Sequence, residues 1–308
     1  MGPVLTVLFA TRNGAHTLPR ALDALTRVQE PAGGWRLVVV DNASTDATPD
    51  ILARYRPRLP LAIRHESTPG QNAARNTGLD TCVGDLVVFT DDDIVPEPEW
   101  LVNLRRAADA NTGCDVFGGT IHPYWEAEPP SWIVDGVPLS PAFAVTPAGK
   151  TGGPARSEDC FGPNFAIRSC HFEQGLRFRT DLGPRGASYP MGGETEVLWR
   201  LDRLGARVHF VDDAVVRHIV RPWQFTSRWL RRRAFNFGRG LYHVHRRTHP
   251  PARAGTLFGI PRWRVRRFPS RFLSPLVTSE LRQDRAASAA ARWALWVEVG
   301  WLREERLG

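Results

Sequence analysis

The chain has almost no lysine and only four scattered cysteines, and these two shortages exclude several protein classes. Lys150 is the single lysine among 40 basic residues, so the other 39 are arginine. Cys82, Cys114, Cys160 and Cys170 show no C-x-x-C spacing, which argues against a zinc ribbon and a redox pair. We therefore expect a reduced, cytoplasmic protein.

Long apolar runs are also missing. No stretch approaches the roughly 18 apolar residues that a membrane-spanning helix needs. The first residues, MGPVLTVLFATRNG, lack the basic segment that opens a signal peptide. The chain length of 308 residues and the apolar content of 42% suffice for a globular core. If this protein meets a membrane, we expect it to lie on the surface.

Short β-branched runs alternate with helical patterns through the first 120 residues, which is typical of βαβ units and a largely parallel sheet. The predicted strands cover residues 4–10, 36–40, 61–64 and 85–90, with another at 116–117. The predicted helices begin near Thr17, Thr48, Gln71 and Glu99. The expected fold class is therefore α/β, with a mainly parallel central sheet flanked by helices.

The regular pattern breaks at residues 120–159, a Pro-, Gly- and Trp-rich segment that is typical of a lid or a binding loop. Regular structure is predicted again as a strand at 161–168, a helix at 193–204 and a strand at 207–211. No Asp or Glu occurs from 214 to 279, whereas fifteen arginines lie between Arg217 and Arg271. This shift in composition predicts a catalytic domain of residues 1–222 and a basic, Trp-containing helical extension of residues 223–308.

Three consecutive carboxylates, Asp91, Asp92 and Asp93, follow the predicted strand at 85–90. Open α/β sheets bind ligands at the carboxyl ends of their strands. Asp91 and Asp93, two apart on extended backbone, are expected to face one ligand. Adjacent carboxylates repel each other unless a cation neutralises them, so a divalent metal is the physical expectation. The alternative is a solvated acidic turn.

Two further segments place polar groups at the same edge of the predicted sheet. Asp41 ends the second strand in VVVDNASTD, although such Asp, Asn, Ser and Thr loops also form Asx turns and helix caps. Arg75 projects from PGQNAARN, a helix whose small residues allow close packing. Its guanidinium suits a phosphate or a base.

Seven segments in this order, ATRNG, VVVDNASTD, PGQNAARNTG, FTDDD, NFAIR, GGETEVLWRL and DDAVVRH, resemble the family 2 glycosyltransferases with the GT-A nucleotide-sugar-binding fold. The resemblance covers about residues 4–220. It implies a nucleoside-diphosphate sugar as donor, with a UDP-sugar expected. The residues that it assigns to the nucleotide are Thr11, Asp41, Arg75, Asp91 and Asp92.

The same resemblance implies a divalent cation and a catalytic base. Asp93 is the implied direct ligand of Mg²⁺ or Mn²⁺, and His218 is implied to face the metal or the diphosphate. The base of the family's G-E-D-x-E pattern falls on Glu194, within Gly193-Glu194-Thr195-Glu196. Here the chain departs from the pattern, with glycine before the base position and Glu where the family has Asp; Arg12 also stands where the family has an aromatic residue.

Each of these assignments has a structural alternative. Glutamates such as Glu194 and Glu196 are favoured in the first turn of any helix by the macrodipole. A lone histidine such as His218 is often a surface or core residue. The arginine-rich segment 228–239 is also consistent with a solvated helix face.

Together these residues predict an inverting glycosyltransferase that moves a sugar to an acceptor hydroxyl, in glycan or glycoconjugate biosynthesis. The acceptor is a glycan, a lipid-linked molecule or a small molecule. Two alternatives remain. A Gly-rich first loop with a lysine at the phosphates is typical of a sugar-phosphate nucleotidyltransferase. The segment ATRNGAHT and the distant Lys150 fit that pattern poorly. The second alternative, an Arg-rich nucleic-acid-binding protein, does not explain the three consecutive aspartates. We therefore expect no nucleic-acid partner.

The arginine excess of residues 223–308 also predicts an anionic membrane surface as a partner, at the inner face of the membrane. Near the C-terminus, a helical stripe carries tryptophans of the kind enriched at membrane interfaces. Its members are Ala289, Trp293, Trp296, Val297, Gly300 and Trp301. The alternative is that this helix packs on the protein and that the arginines bind phosphates of an acceptor.

Overall fold

The computed structural model describes residues 4–186, 189–245, 256–257 and 260–307. The chain forms two compact units. The first consists of residues 1–124, 144–186 and 193–219, and the second of residues 125–143, 187–192 and 220–308. The second unit therefore includes two segments that composition alone placed in the catalytic domain.

The first unit is organised around one sheet. Its strands in chain order are β1 (Leu5–Thr11), β2 (Trp35–Asp41), β3 (Leu61–His65), β4 (Leu86–Phe89), β5 (Ile94–Pro96), β6 (Val116–Trp125), β7 (Gly153–Ala155), β8 (Phe165–Arg168) and β9 (Val208–Val220). The strand order is β3-β2-β1-β4-β8-β6-β9-β5, and β7 pairs with β9. The chain also has a two-stranded ribbon of Thr256–Leu257 and Ile260–Pro261.

The four neighbouring strands β3, β2, β1 and β4 are mutually parallel, as their alternation with helices predicts. Strand β8 is antiparallel to β4 and β6, and β5 and β7 are antiparallel to β9. The complete sheet is therefore mixed rather than mainly parallel. Parallel pairing requires a long crossover, usually a helix, and the regular alternation of strand and helix ends after residue 110.

Helices cover both faces of this sheet. Those of the first unit are α1 (Leu18–Leu25), α2 (Thr48–Tyr55), α3 (Gln71–Leu79), α4 (Trp100–Ala110), α7 (Cys170–Glu173) and α8 (Gly193–Arg203). Leu5, Val7 and Phe9 of β1 contribute to the core beneath α1, α2 and α4, and Leu8 contributes to the core beneath α3 and α8. Both faces of β1 are thus buried, which explains its continuous apolar sequence.

The segment at residues 120–159 is more regular than its composition predicts. Strand β6 continues through Trp125, and helices α5 (Ser131–Gly136) and α6 (Leu139–Phe143) follow before β7 and a 3₁₀ turn at Ser157–Asp159. The predicted strand at 207–211 is the first part of β9. The predicted strand at 161–168 begins only at Phe165.

The second unit is mainly helical. Besides α5 and α6 it contains α9 (Ser227–His245), α10 (Arg262–Phe268), α11 (Ser274–Leu281) and α12 (Arg285–Leu307), with a 3₁₀ turn at Pro222–Phe225 and a π-helical turn at Pro269–Leu273. Contacts between aromatic rings stabilise the second unit. Phe143 stacks on Trp229 with ring centroids 5.4 Å apart, and Trp125 makes edge contacts with Phe143 and Phe225.

Part of the predicted tryptophan stripe is a packing face. Trp293 is buried. Gly300 lies so close to α9 that a Cβ on it would be 2.0 Å from the carbonyl oxygen of Phe235. These two members of the stripe therefore do not lie on the exposed surface of the helix. Among the described residues, no helix is long and apolar enough to cross a membrane.

Candidate active site

Two predicted nucleotide residues end neighbouring strands. Thr11 and Asp41 are register partners at the ends of β1 and β2. The Thr11 hydroxyl donates a hydrogen bond to Asp92 Oδ2, so the end of β1 is tied to the aspartate segment. Asp41 Oδ1 accepts a hydrogen bond from the Ser44 backbone N–H (3.1 Å), and His65 Nδ1 lies 3.7 Å from Asp41 Oδ2. The predicted edge of the sheet therefore does gather these side chains.

The loops that follow β1 and β2 hold each other in place. Asn13 Oδ1 accepts a hydrogen bond from the Thr45 N–H (2.8 Å), and the Asn13 N–H donates to Ser44 Oγ (2.9 Å). Asn13 has a φ of 52°, which asparagine tolerates better than most residues. The polar residues of DNASTD therefore position loops as well as bearing Asp41.

Asp91 lies directly after β4 and is held by two residues of α3. Its Oδ1 accepts hydrogen bonds from Gln71 Nε2 (2.9 Å) and Arg75 Nη2 (3.2 Å). Arg75 is 1% exposed, and its guanidinium lies 5.5 Å from the ring centroid of Phe178. The described contact of Arg75 is thus with Asp91, and its Nε and Nη1 have no hydrogen-bond partner among the described residues.

Several charges act on Asp91 at once. Burial raises the pKa of the Asp91 carboxyl, and the nearby Arg75 guanidinium lowers it. Asp93 and Glu194 raise the pKa further through like charge, whereas His218 lowers it, and the net pKa lies above the usual value. These four side chains are therefore close enough to Asp91 for their charges to change its pKa. The arrangement favours any additional positive charge.

Asp93 and His218 come together from β5 and β9. The backbone brings them together because Ile94 pairs with His218 and the Ile219 N–H donates to the Asp93 carbonyl oxygen (2.8 Å). His218 Nε2 lies 3.4 Å from Asp93 Oδ1, and both side chains are largely buried. No group of three or more His, Cys, Asp or Glu side chains in the described part of the chain is arranged to hold a metal ion.

The donor set nevertheless fits a divalent cation. Mg²⁺ is usually bound through one or two carboxylates together with substrate phosphates rather than by an all-protein cage, and Mn²⁺ also accepts carboxylate and water oxygens. The like charges of Asp91, Asp93 and Glu194 supply the local excess of negative charge that such an ion offsets.

Helix α8 carries two glutamates that differ in burial and in their partners. Glu196 is 1% exposed and pairs with Arg200, one turn later, at 3.1 Å. Glu194 is partly exposed and acts electrostatically on Asp91. The start of this helix needs glycine at position 193, because a Cβ there would lie 2.3 Å from Asn72 Nδ2. The glycine before Glu194, which departs from the family pattern, is therefore explained by its packing against Asn72.

Gly162 is a residue of this site that the sequence did not reveal. A Cβ built on it would lie 3.6 Å from a carboxylate oxygen of Glu194 and 3.7 Å from Asp91 Oδ2. The absence of a side chain therefore leaves space between two carboxylates. Gln71 was also missed, although its position in PGQNAARN, four residues before Arg75, was a usable signal.

The family model described as Glycosyl transferase family 2 matches residues 6–166, just over half of the chain. The chain belongs to glycosyl transferase family 2. Its matched part contains Thr11, Asp41 and all three consecutive aspartates, whereas Glu194 and His218 lie beyond it.

Curated proteins and solved structures are also similar to this chain. Glycosyltransferase AglE of Haloferax volcanii is 31% identical over 122 residues, which is 39% of this chain and 40% of that protein. This chain spans about half the length, or less, of the curated relatives that it matches.

Two solved structures share the fold. The mannosyltransferase PcManGT from Pyrobaculum calidifontis, in complex with GDP-Man and Mn²⁺, is 20% identical with a TM-score of 0.66, covering 98% of this chain and 88% of that one. S. aureus TarS 1-349 in complex with UDP-GlcNAc is 19% identical with a TM-score of 0.55, covering 95% of this chain and 90% of that one. These likenesses show that this family 2 chain has the GT-A fold.

Proposed function

We propose that this protein transfers a sugar from a nucleoside-diphosphate sugar to an acceptor hydroxyl with inversion at the anomeric carbon. Family membership supports sugar transfer over nucleotidyl transfer. The observation that carries the proposal is that the carboxylates of Asp91 and Glu194 both lie beside Gly162, with Asp93 two residues after Asp91, at the carboxyl ends of the strands where α/β sheets bind their ligands.

Glu194 is the proposed catalytic base. In one displacement, the acceptor oxygen forms a bond to the anomeric carbon while the bond from that carbon to the diphosphate oxygen breaks. The acceptor proton goes to the Glu194 carboxylate. Glu196 is less suited to this role because Arg200 already pairs with it in the protein interior. A single displacement inverts the configuration and needs no nucleophilic Ser, Cys or Lys.

The proposed nucleotide site lies at the ends of β1, β2 and β4. The side chains at these strand ends are those of Thr11, Asp41, Asp91 and Asp92. Arg75 of α3 donates a hydrogen bond to the Asp91 carboxylate. We propose a UDP-sugar as the donor. Relatives in structure are described with both UDP-GlcNAc and GDP-Man, so the base is a point for experiment.

Asp93 and His218 are the residues that we propose to hold Mg²⁺ or Mn²⁺. When bound, the cation would neutralise negative charge on the diphosphate. The chain's own contribution is to hold the Asp93 carboxylate beside the imidazole of His218 through the pairing of β5 with β9.

We also propose that the second unit lies on the anionic inner face of the membrane. Three exposed apolar side chains, Leu273, Val277 and Leu281, are 42%, 56% and 81% exposed, and their spacing of four places them on about one helix face. The neighbouring helix α10 carries exposed arginines, each worth about 1 kcal/mol near an anionic leaflet. The acceptor is then a glycan, a lipid-linked molecule or a small molecule that is reached at this surface.

Flotation with phosphatidylglycerol vesicles tests the membrane proposal. The full chain should float, salt should release it, and replacing Arg262, Arg266 and Arg267 by Gln should weaken flotation. A matched set in the first unit removes the same charge: Arg27, Arg54 and Arg56, all exposed. Equal effects of the two sets, or no flotation of the full chain, would contradict the proposal.

The transfer proposal is tested by slow donor hydrolysis, which reveals the donor without knowledge of the acceptor. UDP-, GDP- and dTDP-sugars are incubated with the protein and Mn²⁺, and NMR follows the configuration of the first sugar released. We expect one UDP-sugar to be hydrolysed with inversion and Glu194→Gln to be inactive. Hydrolysis of no donor, or retained configuration, would contradict it.

A further inference from the structure

The second unit contains a cavity of about 580 Å³ that the proposed transfer does not use. Its walls are formed by α9, α11 and α12 together with α5 and the residue after it, all within the second unit. Pockets that bind small molecules in proteins have volumes of about 300 to 1,000 Å³.

Two close helix contacts lie on either side of the part of α12 that lines the cavity. A Cβ on Gly136 of α5 would lie 2.2 Å from the carbonyl oxygen of Ala286, and a Cβ on Gly238 of α9 would lie 1.9 Å from that of Val297. Ala286 and Val297 are about 16 Å apart along α12 at 1.5 Å per residue. The residues of α12 that line the cavity, Ala289 to Trp296, lie between these two points.

The face of α12 in this interval is mainly apolar. Ala289, Trp293 and Trp296 follow a helical spacing and line the cavity together with Trp132 and Leu230. Trp293 and Leu230 are buried, whereas Trp132, Trp296 and the lining arginines are partly or fully exposed, so the cavity is a cleft with a buried apolar part that opens to solvent. An apolar chain that enters this cavity would remove both its own surface and that of the tryptophans from water.

Charge of one sign lies at the same cavity. Arg228, Arg231 and Arg292 line it, and none of its described lining residues is acidic. Arg292 is paired with Glu280 at 2.6 Å, and the Arg231 guanidinium lies over the Trp296 ring, 5.3 Å from its centroid. Arg228 makes no ion pair with a described residue. Two arginines thus keep their charge available, and guanidinium forks match phosphate oxygens.

We propose that this cavity binds an amphiphile that consists of an apolar chain and a phosphate head. The chain lies among Trp132, Trp293 and Trp296, and the phosphate is held by Arg228 and Arg231. Neither inorganic phosphate nor an uncharged chain satisfies both parts of the cavity. The proposal does not depend on the sugar donor or on the base, so its failure would leave the transfer proposal untouched.

Dodecyl phosphate is the probe for this site, titrated below its micelle concentration into the full chain. Three tryptophans line the cavity, so tryptophan fluorescence should shift to shorter wavelength, and calorimetry gives the dissociation constant. We expect dodecyl phosphate to bind at least about tenfold more tightly than dodecyl maltoside or inorganic phosphate. Equal binding of the charged and neutral chains would overturn the proposal.

Variants locate the binding. Arg228→Gln combined with Arg231→Gln should weaken dodecyl phosphate binding about tenfold or more while leaving dodecyl maltoside binding unchanged. Arg232→Gln is the matched control, because Arg232 is exposed on the same helix and does not line the cavity. Ala289→Phe fills the cavity and should abolish the fluorescence shift. An equal loss in the Arg232 variant would overturn the proposal, and the exposed arginine variants decide it even if the Phe variant fails to fold.

Two sources of the same chemistry are separated by a further pair of probes. An isoprenoid monophosphate that binds more tightly than lysophosphatidylglycerol identifies a lipid-linked substrate, whereas the reverse order identifies a membrane phospholipid. Either order supports the site. If neither probe competes with dodecyl phosphate, the cavity does not hold a phosphate-headed lipid and the proposal is wrong.

Discussion

The carboxylates of Glu194 and Asp91 flank one point, the position at which a side chain on Gly162 would begin. A carboxylate oxygen of Glu194 lies 3.6 Å from that point, and Asp91 Oδ2 lies 3.7 Å from it. The two acidic groups come from helix α8 and from the loop after β4, about 100 residues apart in sequence. The space between them is where a proposed base and a proposed donor site meet.

The first prediction is that Gly162→Ala lowers sugar transfer without unfolding the protein. The added methyl group makes only ordinary van der Waals contacts, and Gly162 does not have a positive φ, so the backbone accepts alanine. The methyl group occupies the space between the carboxylates, and misplacement of reactants by about 1 Å costs up to about 10²-fold in rate. The transfer rate should be lower in the Ala variant than in the native protein and lower still in the Val variant, whereas UDP affinity and Tm should be nearly unchanged. Full activity of the Val variant would show that the space is not used.

The second prediction separates the two glutamates of α8. Glu194→Gln keeps the size of the side chain but cannot accept a proton, so transfer should fall about 10² to 10⁴-fold while donor affinity is retained. Glu196→Gln should act on stability instead, lowering the free energy of unfolding by about 2 kcal/mol, because Arg200 loses a buried partner. Steady-state kinetics and urea unfolding of both variants provide the check. If the two effects are exchanged, the base is Glu196.

The third prediction concerns the metal. We expect Mn²⁺ to increase UDP affinity and Asp93→Ala to abolish that increase, because the proposed carboxylate ligand is lost. The fold should survive, since removal of one of several repelling carboxylates relieves like charge around Asp91. Asp202→Ala, at an exposed position, is the control. Calorimetry of UDP with Mn²⁺ and with EDTA measures the effect, and undiminished transfer by the Asp93 variant in EDTA would refute it.

The parts of this site that lie at strand ends could be predicted from the sequence. Thr11, Asp41 and Asp91 each follow an apolar run, and parallel strands bring their carboxyl ends to one edge. Gly162 could not be found in this way, because a residue without a side chain gives no chemical signal. It also lies in the turn before β8, inside what was predicted as a strand.

The second unit was the least predictable part of the chain. The amphipathic pattern of α12 identifies an apolar face but not what covers it, and the structure places Trp293 and Gly300 in protein contacts. The exposed apolar face instead includes Leu273 and Val277, which directly follow the arginine-rich stretch that ends at Arg271. Which helix faces meet depends on contacts between distant segments, and a single sequence does not report these.

The last prediction concerns a buried ion pair of the second unit and its dependence on pH. Glu304 of α12 is held by Arg239 Nε and, at 2.9 Å, by His243 Nε2, both on α9. Burial alone would raise the pKa of Glu304, but the hydrogen bonds from Arg239 and His243 outweigh it, so the net pKa lies below the ordinary value of 4.5. Glu304→Gln should therefore lower the free energy of unfolding by about 2 kcal/mol at pH 7, because Arg239 stays buried without its counter-charge.

The sign of the pH effect follows from the lowered pKa. A carboxylate with a depressed pKa in the folded state stabilises the fold above its unfolded pKa, and this stabilisation is lost as the pH falls through the folded pKa. The difference in unfolding free energy between the native chain and the Gln variant should thus be largest near neutral pH. It should shrink progressively as the pH falls below about 4.5, where Glu304 takes up a proton in the unfolded state, and it should be lost once the pH is below the folded pKa and Glu304 is protonated in both states. Urea unfolding followed by tryptophan fluorescence measures this difference. Glu128→Gln, at an exposed position, should show almost none at any pH, and a pH-independent difference for Glu304→Gln would mean that its charge does not hold α12 to α9.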